Sequence, residues 1–399
     1  MPKRYNFRYL YTITRKMKNQ TSIYPNPRNS IVDCIRGFGL IGVLLANLTA
    51  FNDQTLPTNT IKAISNNLDH LLSAINSVFI EWKFVTIFSI LFGYSFGLLM
   101  LKAESKNINA VIFFSKRMFW LFMLGLIHML FWWGDILHLY AISGFMLLAF
   151  RKCSNKHILY FSIIFMFVVP KLIYTFFDDY TSYFTDQNLQ ILSDSYKKGS
   201  LSQVFTANLR LYYHAFILSG ADLRDIAETL GRFLLGYYLL RIHLFEQIES
   251  KKKIFMNVLL LTSVPTLIYF IFLWLQHFKQ IELNSEYITF FLKVGVLSTS
   301  CFYASILTLL FIRFRINRIF KMLQLLGRIT LTNYLFISCF AVILFYGIGF
   351  GKLGDLPLHF IWLWAACLLI FETVFSYLWQ KKYRYGPAEW LWRFLSYPK

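Results

Sequence analysis

The amino-acid composition of this 399-residue chain excludes an ordinary soluble domain. Hydrophobic residues make up 57% of the sequence, aromatic residues 19% and charged residues only 15%, whereas soluble domains carry about a quarter charged residues. Apolar stretches recur along the chain, each long enough for a helix to cross a hydrocarbon core about 30 Å thick. The residue alternation of a transmembrane barrel is absent. The sequence therefore predicts an all-α, polytopic integral membrane protein.

The net charge of +20 follows the predicted membrane topology. With the N-terminus in the cytoplasm, 25 of the 40 Lys and Arg residues fall in inner segments and seven in outer segments. Cytoplasmic segments of inserted membrane proteins carry such an excess of positive charge. We therefore expect the lipid bilayer, and no nucleic acid, as the partner of the basic residues. Both termini are expected to be cytoplasmic.

Ten membrane-spanning helices are predicted, between a basic cytoplasmic tail at 1–30 and a cytoplasmic C-terminal tail at 381–399. Within the transmembrane domain, residues 31–380, the predicted spans are 31–51, 79–101, 113–133, 136–150, 158–177, 226–245, 254–275, 287–312, 330–350 and 358–380. The longest outer segment, 178–225, separates two groups of five spans. Its second half mixes apolar and polar residues, which is typical of an interfacial or re-entrant helix.

The first span carries two polar residues on one face. Arg36 and Asn47 are eleven residues apart, close to three helical turns, so they point the same way about 16 Å apart along the axis. Polar groups inside a membrane cost free energy and are usually functional, which favours a row of polar residues that lines a substrate path. In the alternative, Arg36 reaches the inner headgroups or pairs with Asp33, and Asn47 bonds a neighbouring helix.

Two histidines and an aspartate interrupt the apolar run at 119–150. Gly134 and Asp135 predict a turn between the third and fourth spans, where Asp135 can cap the fourth helix. His138 shares the face of Asp135, and His128 lies about 9 Å deeper. His128 is either an acid–base or acceptor-binding group, or a core histidine bonded across helices. The spacing of these residues does not predict a metal site.

Three further features have both a functional and a structural interpretation. Glu372, in the middle of the tenth span, has no evident local partner and is a candidate functional or bundle-locking carboxylate. Glu228 and Arg232, at i and i+4, are expected to pair. Arg328, at the inner mouth of the ninth span, either meets a phosphate or anchors the span.

Five stretches of the sequence together carry a family resemblance. They are RGFGLIGVLLAN (36–47), FSILFGYSFGLL (88–99), IHMLFWWGDILHLYAI (127–142), GRITLTNYLFIS (327–338) and YGPAEWLWR (385–393). In this order they resemble the YeiB-like family of bacterial membrane proteins, which carries the label "domain of unknown function 418". The first spans are also similar to a wider superfamily of transmembrane acyltransferases. Its shared mark, an Arg-Gly followed by a polar residue eleven positions after the Arg, is matched by Arg36, Gly37 and Asn47.

This resemblance implies acyl transfer. Enzymes of that superfamily take an acyl group from cytosolic acyl-CoA and pass it to an extracytoplasmic sugar or glycan. Arg36 and Arg328 would then contact the CoA phosphates from inside. Near the outer face, His128 and Asn47 would handle the acceptor while Asp135 fixes the tautomer of His128. In one large branch a catalytic histidine stands where this chain has Asn47, which cannot serve as a general base.

Two other functions stay open at this stage. The same polar residues could line the path of a small-molecule transporter, or the chain could be a structural or lipid-binding membrane protein. For the enzyme, acyl-CoA is expected as a co-substrate and not as a permanently bound cofactor, with a glycan or small molecule as the acceptor. A cell-membrane location is expected, and the oligomeric state, including a homo-oligomer, is left open.

Overall fold

The computed structural model describes residues 29–53, 67–177, 185–279, 286–314 and 317–396. Every regular element within these ranges is helical, as the composition predicts. In chain order the helices are α1 (Ser30–Asp53), α2 (Asn67–Ile75), α3 (Lys83–Glu104), α4 (Ala110–Phe131), α5 (Leu137–Leu147), α6 (Asn155–Ile163), α7 (Val169–Tyr174), α8 (Asp186–Lys198), α9 (Leu201–Tyr212), α10 (Ala221–Arg241), α11 (Lys252–Lys279), α12 (Glu286–Arg313), α13 (Arg318–Arg328), α14 (Thr330–Phe345), α15 (Leu358–Lys382) and α16 (Pro387–Ser396).

Helices occupy each of the ten predicted spans, but not all of them have the length and composition of a membrane span. In the described part of the chain, seven helices are long and apolar enough to cross a membrane, or up to eight if one bent pair counts as a span. The segment Leu137–Phe150 is apolar but short, and α10 carries six charged side chains. The membrane-protein class is therefore clear, and the count of ten spans stays a prediction.

A sharp bend divides the segment that contains the ninth predicted span. Helices α13 and α14 meet at 81° around Ile329. On the α13 side, glycine lets the backbones of α1 and α13 touch. A Cβ on Gly37 would lie 1.9 Å from the carbonyl oxygen of Leu323, and one on Gly327 would lie 1.9 Å from that of Asp33. Small residues permit such close helix approach within membranes, and here they fix the start of α14 beside α1.

The predicted outer segment folds against the bundle as helices α8 and α9. Tyr196 on α8 is buried and donates a hydrogen bond of 2.9 Å to the Asn208 side chain on α9. Asn208 in turn donates to the carbonyl oxygen of Leu130 near the end of α4, at 2.8 Å. The segment thereby covers the α4–α5 turn. Residues 178–184 of the predicted segment lie outside the described residues.

The predicted C-terminal tail contains a further helix. Amphipathic α16 lies against α4, where the Trp392 indole donates to the carbonyl oxygen of Arg117 at 2.8 Å. The Arg117 guanidinium also lies over the Trp392 ring, 3.9 Å from its centre, a cation–π contact. Of the predicted N-terminal tail, residues 1–28 lie outside the described residues.

Candidate functional site

Asp135 organises the turn between α4 and α5. Its carboxylate accepts hydrogen bonds from Nδ1 of His128 (2.7 Å), Nδ1 of His138 (2.8 Å) and the backbone N–H of His138 (2.9 Å). The last bond is the predicted contact at the start of the fourth span. Gly125 makes room for this arrangement, since a Cβ there would lie 2.5 Å from the His138 nitrogen. All three side chains of the cluster are buried.

The hydrogen bonds assign the tautomer of His128. An ionised carboxylate can only accept, so Nδ1 of His128 carries a proton toward Asp135. In a neutral imidazole the other nitrogen, Nε2, is then an acceptor. The hydroxyl of Ser338 on α14 lies 2.8 Å from this Nε2 and donates to it. Hydroxyl, imidazole and carboxylate are thus aligned in the order used to activate a nucleophile.

His138 links the same carboxylate to two residues of the outer segment and α10. The Tyr212 hydroxyl donates to Asp222 at 2.6 Å and lies 2.9 Å from Nε2 of His138. Because the single phenolic proton is used toward Asp222, the tyrosine oxygen accepts from His138 Nε2–H. His138 then donates through both ring nitrogens, as an imidazolium between the carboxylates of Asp135 and Asp222. This branch is a closed, fully satisfied network.

A cavity of about 760 Å³ opens at the other end of α4, on the predicted cytoplasmic side. Its wall includes an excess of cationic over acidic side chains. The cations are Arg36, Lys102, Arg117, Arg328, Arg384 and Arg393, and the acids are Asp33, Glu246 and Glu389. The rest of the lining is mainly apolar and aromatic. A cationic wall and an apolar lining suit an amphipathic, anionic ligand.

Arg36 and Arg328, which by the family resemblance would contact the CoA phosphates, both lie on this wall. The Arg36 guanidinium bonds Asp33 at 3.3 Å and also donates to Ser95. Arg328 lies 3.6 Å from the second oxygen of Asp33. One carboxylate therefore holds two guanidinium groups beside the cavity, and each guanidinium has five N–H donors, enough to bind a second anion as well.

Glu389 of α16 caps the start of α14 at the cavity wall. Its carboxylate accepts from the backbone N–H of Leu331 at 2.7 Å and from the Thr332 hydroxyl at 2.5 Å. Burial raises the pKa of the Glu389 carboxyl, against the hydrogen bonds of Thr332 and the backbone, which lower it. A helix N-terminus binds anions through its free N–H groups, so Glu389 occupies a position that suits a phosphate.

One side-chain layer separates the cavity from the His128 cluster. Tyr334 lines the cavity, and its ring centre lies 5.3 Å from that of His128. Leu331 and Tyr334 of the cavity wall and Ser338 follow the spacing i, i+3 and i+7, which places them on one face of α14. This face leads from the cavity to the His128–Ser338 hydrogen bond.

Asn47 is the predicted site residue that the structure does not join to the others. Its side chain is buried, and its amide nitrogen has no hydrogen-bond partner in the described part of the chain. The contact between α1 and the α4–α5 turn is instead made by Phe51, which stacks on Trp132 with ring centres 4.6 Å apart. Asn47 is therefore an unpaired donor in the interior of α1, outside the hydrogen-bond network around His128.

Sequence reasoning missed three members of the network. Ser338 is the last residue of the stretch 327–338, but it was not predicted as a site residue. Tyr212 and Asp222 belong to the predicted outer segment. No local spacing connects them to His128 and His138, since they come from other helices. The expected pair Glu228–Arg232 is present at 2.9 Å and is joined by Lys293 at 2.6 Å.

The fold and the buried polar network define a polytopic helical membrane protein. Residues 239–399 match the family described as "Protein of unknown function (DUF418)". The chain is 27% identical over 398 residues to "Uncharacterized protein YxaH" of Bacillus subtilis (strain 168), which covers 93% of this chain and 95% of that protein. It is 28% identical over 389 residues to "Uncharacterized protein YeiB" of Escherichia coli (strain K12), covering 92% and 96%.

A third relative is 28% identical over 375 residues, the "Uncharacterized 39.9 kDa protein in amylase 3'region" of Bacillus acidopullulyticus, with coverage of 93% and 94%. No solved structure matches the chain. The chain is thus similar to YeiB over nearly its whole length, and its C-terminal part, residues 239–399, matches the DUF418 model. The resemblance drawn from the five sequence stretches is confirmed.

Proposed function

We propose that the protein is a cell-membrane acyltransferase that passes an acyl group from cytosolic acyl-CoA to a hydroxyl-bearing glycan or small molecule on the extracytoplasmic side. One observation carries this proposal. A cationic cavity ends one side chain short of a histidine that is hydrogen-bonded to a carboxylate. Anion binding and hydroxyl activation are the two tasks that such a transfer needs.

The cavity supports the donor half of the reaction. CoA carries several phosphate charges at one end and a reactive acyl thioester at the other. Arg36 and Arg328 would bind phosphate at the wall, where planar guanidinium groups are well matched to phosphate oxygens. The apolar lining would hold the pantetheine arm and direct the thioester toward Tyr334. The volume, about 760 Å³, lies in the range of small-molecule sites.

The His128 cluster supports the acceptor half. Asp135 accepts a hydrogen bond from Nδ1 of His128, so Nε2, which lies beside the Ser338 hydroxyl, is the nitrogen that would take a proton from a hydroxyl. A base of this kind contributes about 10²- to 10⁴-fold to the rate. Asn47 remains a candidate for binding the acceptor, since no residue that the structure describes accepts a hydrogen bond from its buried amide nitrogen.

Binding and transfer assays with purified full-length protein test the proposal. Acetyl-CoA with a radiolabelled acetyl group serves as the donor and cell-envelope glycans serve as the acceptor. We expect Arg36→Ala to weaken acetyl-CoA binding about tenfold, the equivalent of about 1.4 kcal/mol. We expect His128→Ala to retain binding and to lose transfer by about 10²- to 10⁴-fold.

Two matched variants control for general damage. Arg241→Ala removes a guanidinium outside the cavity that bonds the backbone of Cys153, and His157→Ala removes an exposed histidine. Both are expected to behave like the wild type. Absence of acetyl-CoA binding by the wild type contradicts the acyltransferase, and passage of a small molecule along the polar residues becomes the better hypothesis.

A further inference from the structure

The buried hydroxyl of Ser338 is hydrogen-bonded to an imidazole, unlike several other buried hydroxyl residues of the bundle. In a membrane helix a serine or threonine usually donates to the carbonyl oxygen one turn earlier. Thr299 and Thr308 of α12 do so, at 2.8 Å and 2.7 Å. The hydrogen bond of Ser338 instead crosses to α4 and ends on Nε2 of His128. The serine is aimed at a base, and it occupies the atom through which His128 would act.

The position of Ser338 along α14 is also informative. It lies eight residues after Thr330, the first residue of the helix, and seven before Phe345, the last. At 1.5 Å per residue these separations are about 12 Å and about 10 Å. Ser338 is thus halfway along the helix that begins at the cavity. An acyl group attached there would be midway between a cytosolic donor and an outer acceptor.

We propose that Ser338 is a covalent carrier of the acyl group; this rests on the proposed acyltransferase function. In the first step, Ser338 Oγ attacks the thioester carbonyl carbon, and Nε2 of His128 takes the hydroxyl proton. A C–O bond forms, the C–S bond breaks, and the departing thiolate takes the proton from His128 and leaves as free CoA.

In the second step the acceptor hydroxyl gives its proton to His128 and attacks the ester carbonyl. The bond to Ser338 Oγ breaks, and the serine oxygen takes the proton back. Both steps are acyl transfers without oxidation or reduction, and both use the same Nε2 with Asp135 behind it. The carrier lets CoA leave toward the cytoplasm before the acceptor arrives from the other side.

The test traps the carrier in the absence of acceptor. Purified full-length protein is incubated with acetyl-CoA, quenched in acid, digested and examined by mass spectrometry. The wild type should gain one acetyl group on the peptide that contains Ser338. Ser338→Ala should lose the adduct, and His128→Ala should slow its formation about 10²- to 10⁴-fold. Ser305→Ala, which changes another buried serine on α12, should label like the wild type.

Ser338→Cys guards against misfolding as an explanation of the loss. The thiol should accept the acetyl group as a thioester, which neutral hydroxylamine releases, whereas the wild-type ester withstands that treatment. Transfer to glycan at the wild-type rate by Ser338→Ala, without an adduct on the wild type, overturns the carrier and leaves the acyltransferase standing. If the wild type neither binds acetyl-CoA nor releases CoA, the carrier and the acyltransferase are both wrong.

Discussion

The two ends of α4 hold their polar side chains in different arrangements within the apolar bundle. At the α4–α5 turn, Asp135 and the two histidines are buried and bonded to one another. At the cavity, cationic side chains outnumber acidic ones and line an open space. A buried polar network is stable only when each member is satisfied, whereas a wall with excess charge is suited to a ligand that supplies the missing charge. The turn therefore holds its side chains in fixed positions, whereas the cavity suits an anionic ligand.

Asp135→Asn should cause the largest change, because it removes the negative charge and replaces one of the two oxygens that hold the imidazoles by an NH2 group. Loss of one partner from a buried charged network costs about 3–5 kcal/mol. Thermal unfolding of the purified protein should show a large decrease in Tm. Asp194→Asn is the matched control, since Asp194 is half-exposed and its contacts with Gln190 and Lys198 lie on the surface. An equal decrease in Tm for the two variants would show that Asp135 stabilises the protein no more than a surface carboxylate does.

Gly125→Ala tests the close approach of α4 and α5. The added methyl group would overlap the His138 nitrogen and the Asp135 carboxylate, at 2.5 Å and 2.9 Å. Overpacking of this kind costs about 1–3 kcal/mol. We expect a lower Tm together with weaker activity, since the carboxylate must shift away from His128. A variant with wild-type Tm and transfer rate would contradict the geometry of the turn.

Glu372→Leu should raise Tm, whereas the two substitutions above should lower it. Glu372 is fully buried on α15, and neither carboxylate oxygen has a hydrogen-bond partner among the described residues. Replacing an unsatisfied buried polar group by an apolar one removes a cost of about 1–3 kcal/mol. Tm is expected to rise if the carboxyl has no function. A rise in Tm with loss of transport or transfer would instead mark Glu372 as a functional group kept at the expense of stability.

Glu389→Gln should have the smallest effect and is specific to the cavity. The amide keeps one acceptor for the start of α14 but removes a negative charge beside the arginines. We expect acetyl-CoA to bind a few-fold more tightly, because one repulsive charge at an effective dielectric of about 20 is worth about 1 kcal/mol at 10–15 Å. Titration calorimetry at low and high salt measures the Kd for acetyl-CoA, and the gain in affinity should shrink as ionic strength rises.

The membrane class and the helical segments were predictable, because they depend on residues that are near one another in sequence. An apolar run must satisfy its backbone hydrogen bonds internally, so its length alone predicts a helix in lipid. The contact between Asp135 and His138 was predictable for the same reason, since i and i+3 share a helix face. The family resemblance assigned Arg36 and Arg328 to the CoA phosphates, and both lie on the cavity wall.

Tertiary structure alone decided which residues meet across helices. Ser338 is 210 residues from His128 in sequence, and Tyr212 is 74 residues from His138. The rotation of one helix against another in a bilayer is set by close packing at small residues, such as Gly37 against Leu323. Such packing directs Ser338 toward the imidazole, whereas the amide nitrogen of Asn47 has no hydrogen-bond partner among the described residues, although both residues are polar interruptions of an apolar helix.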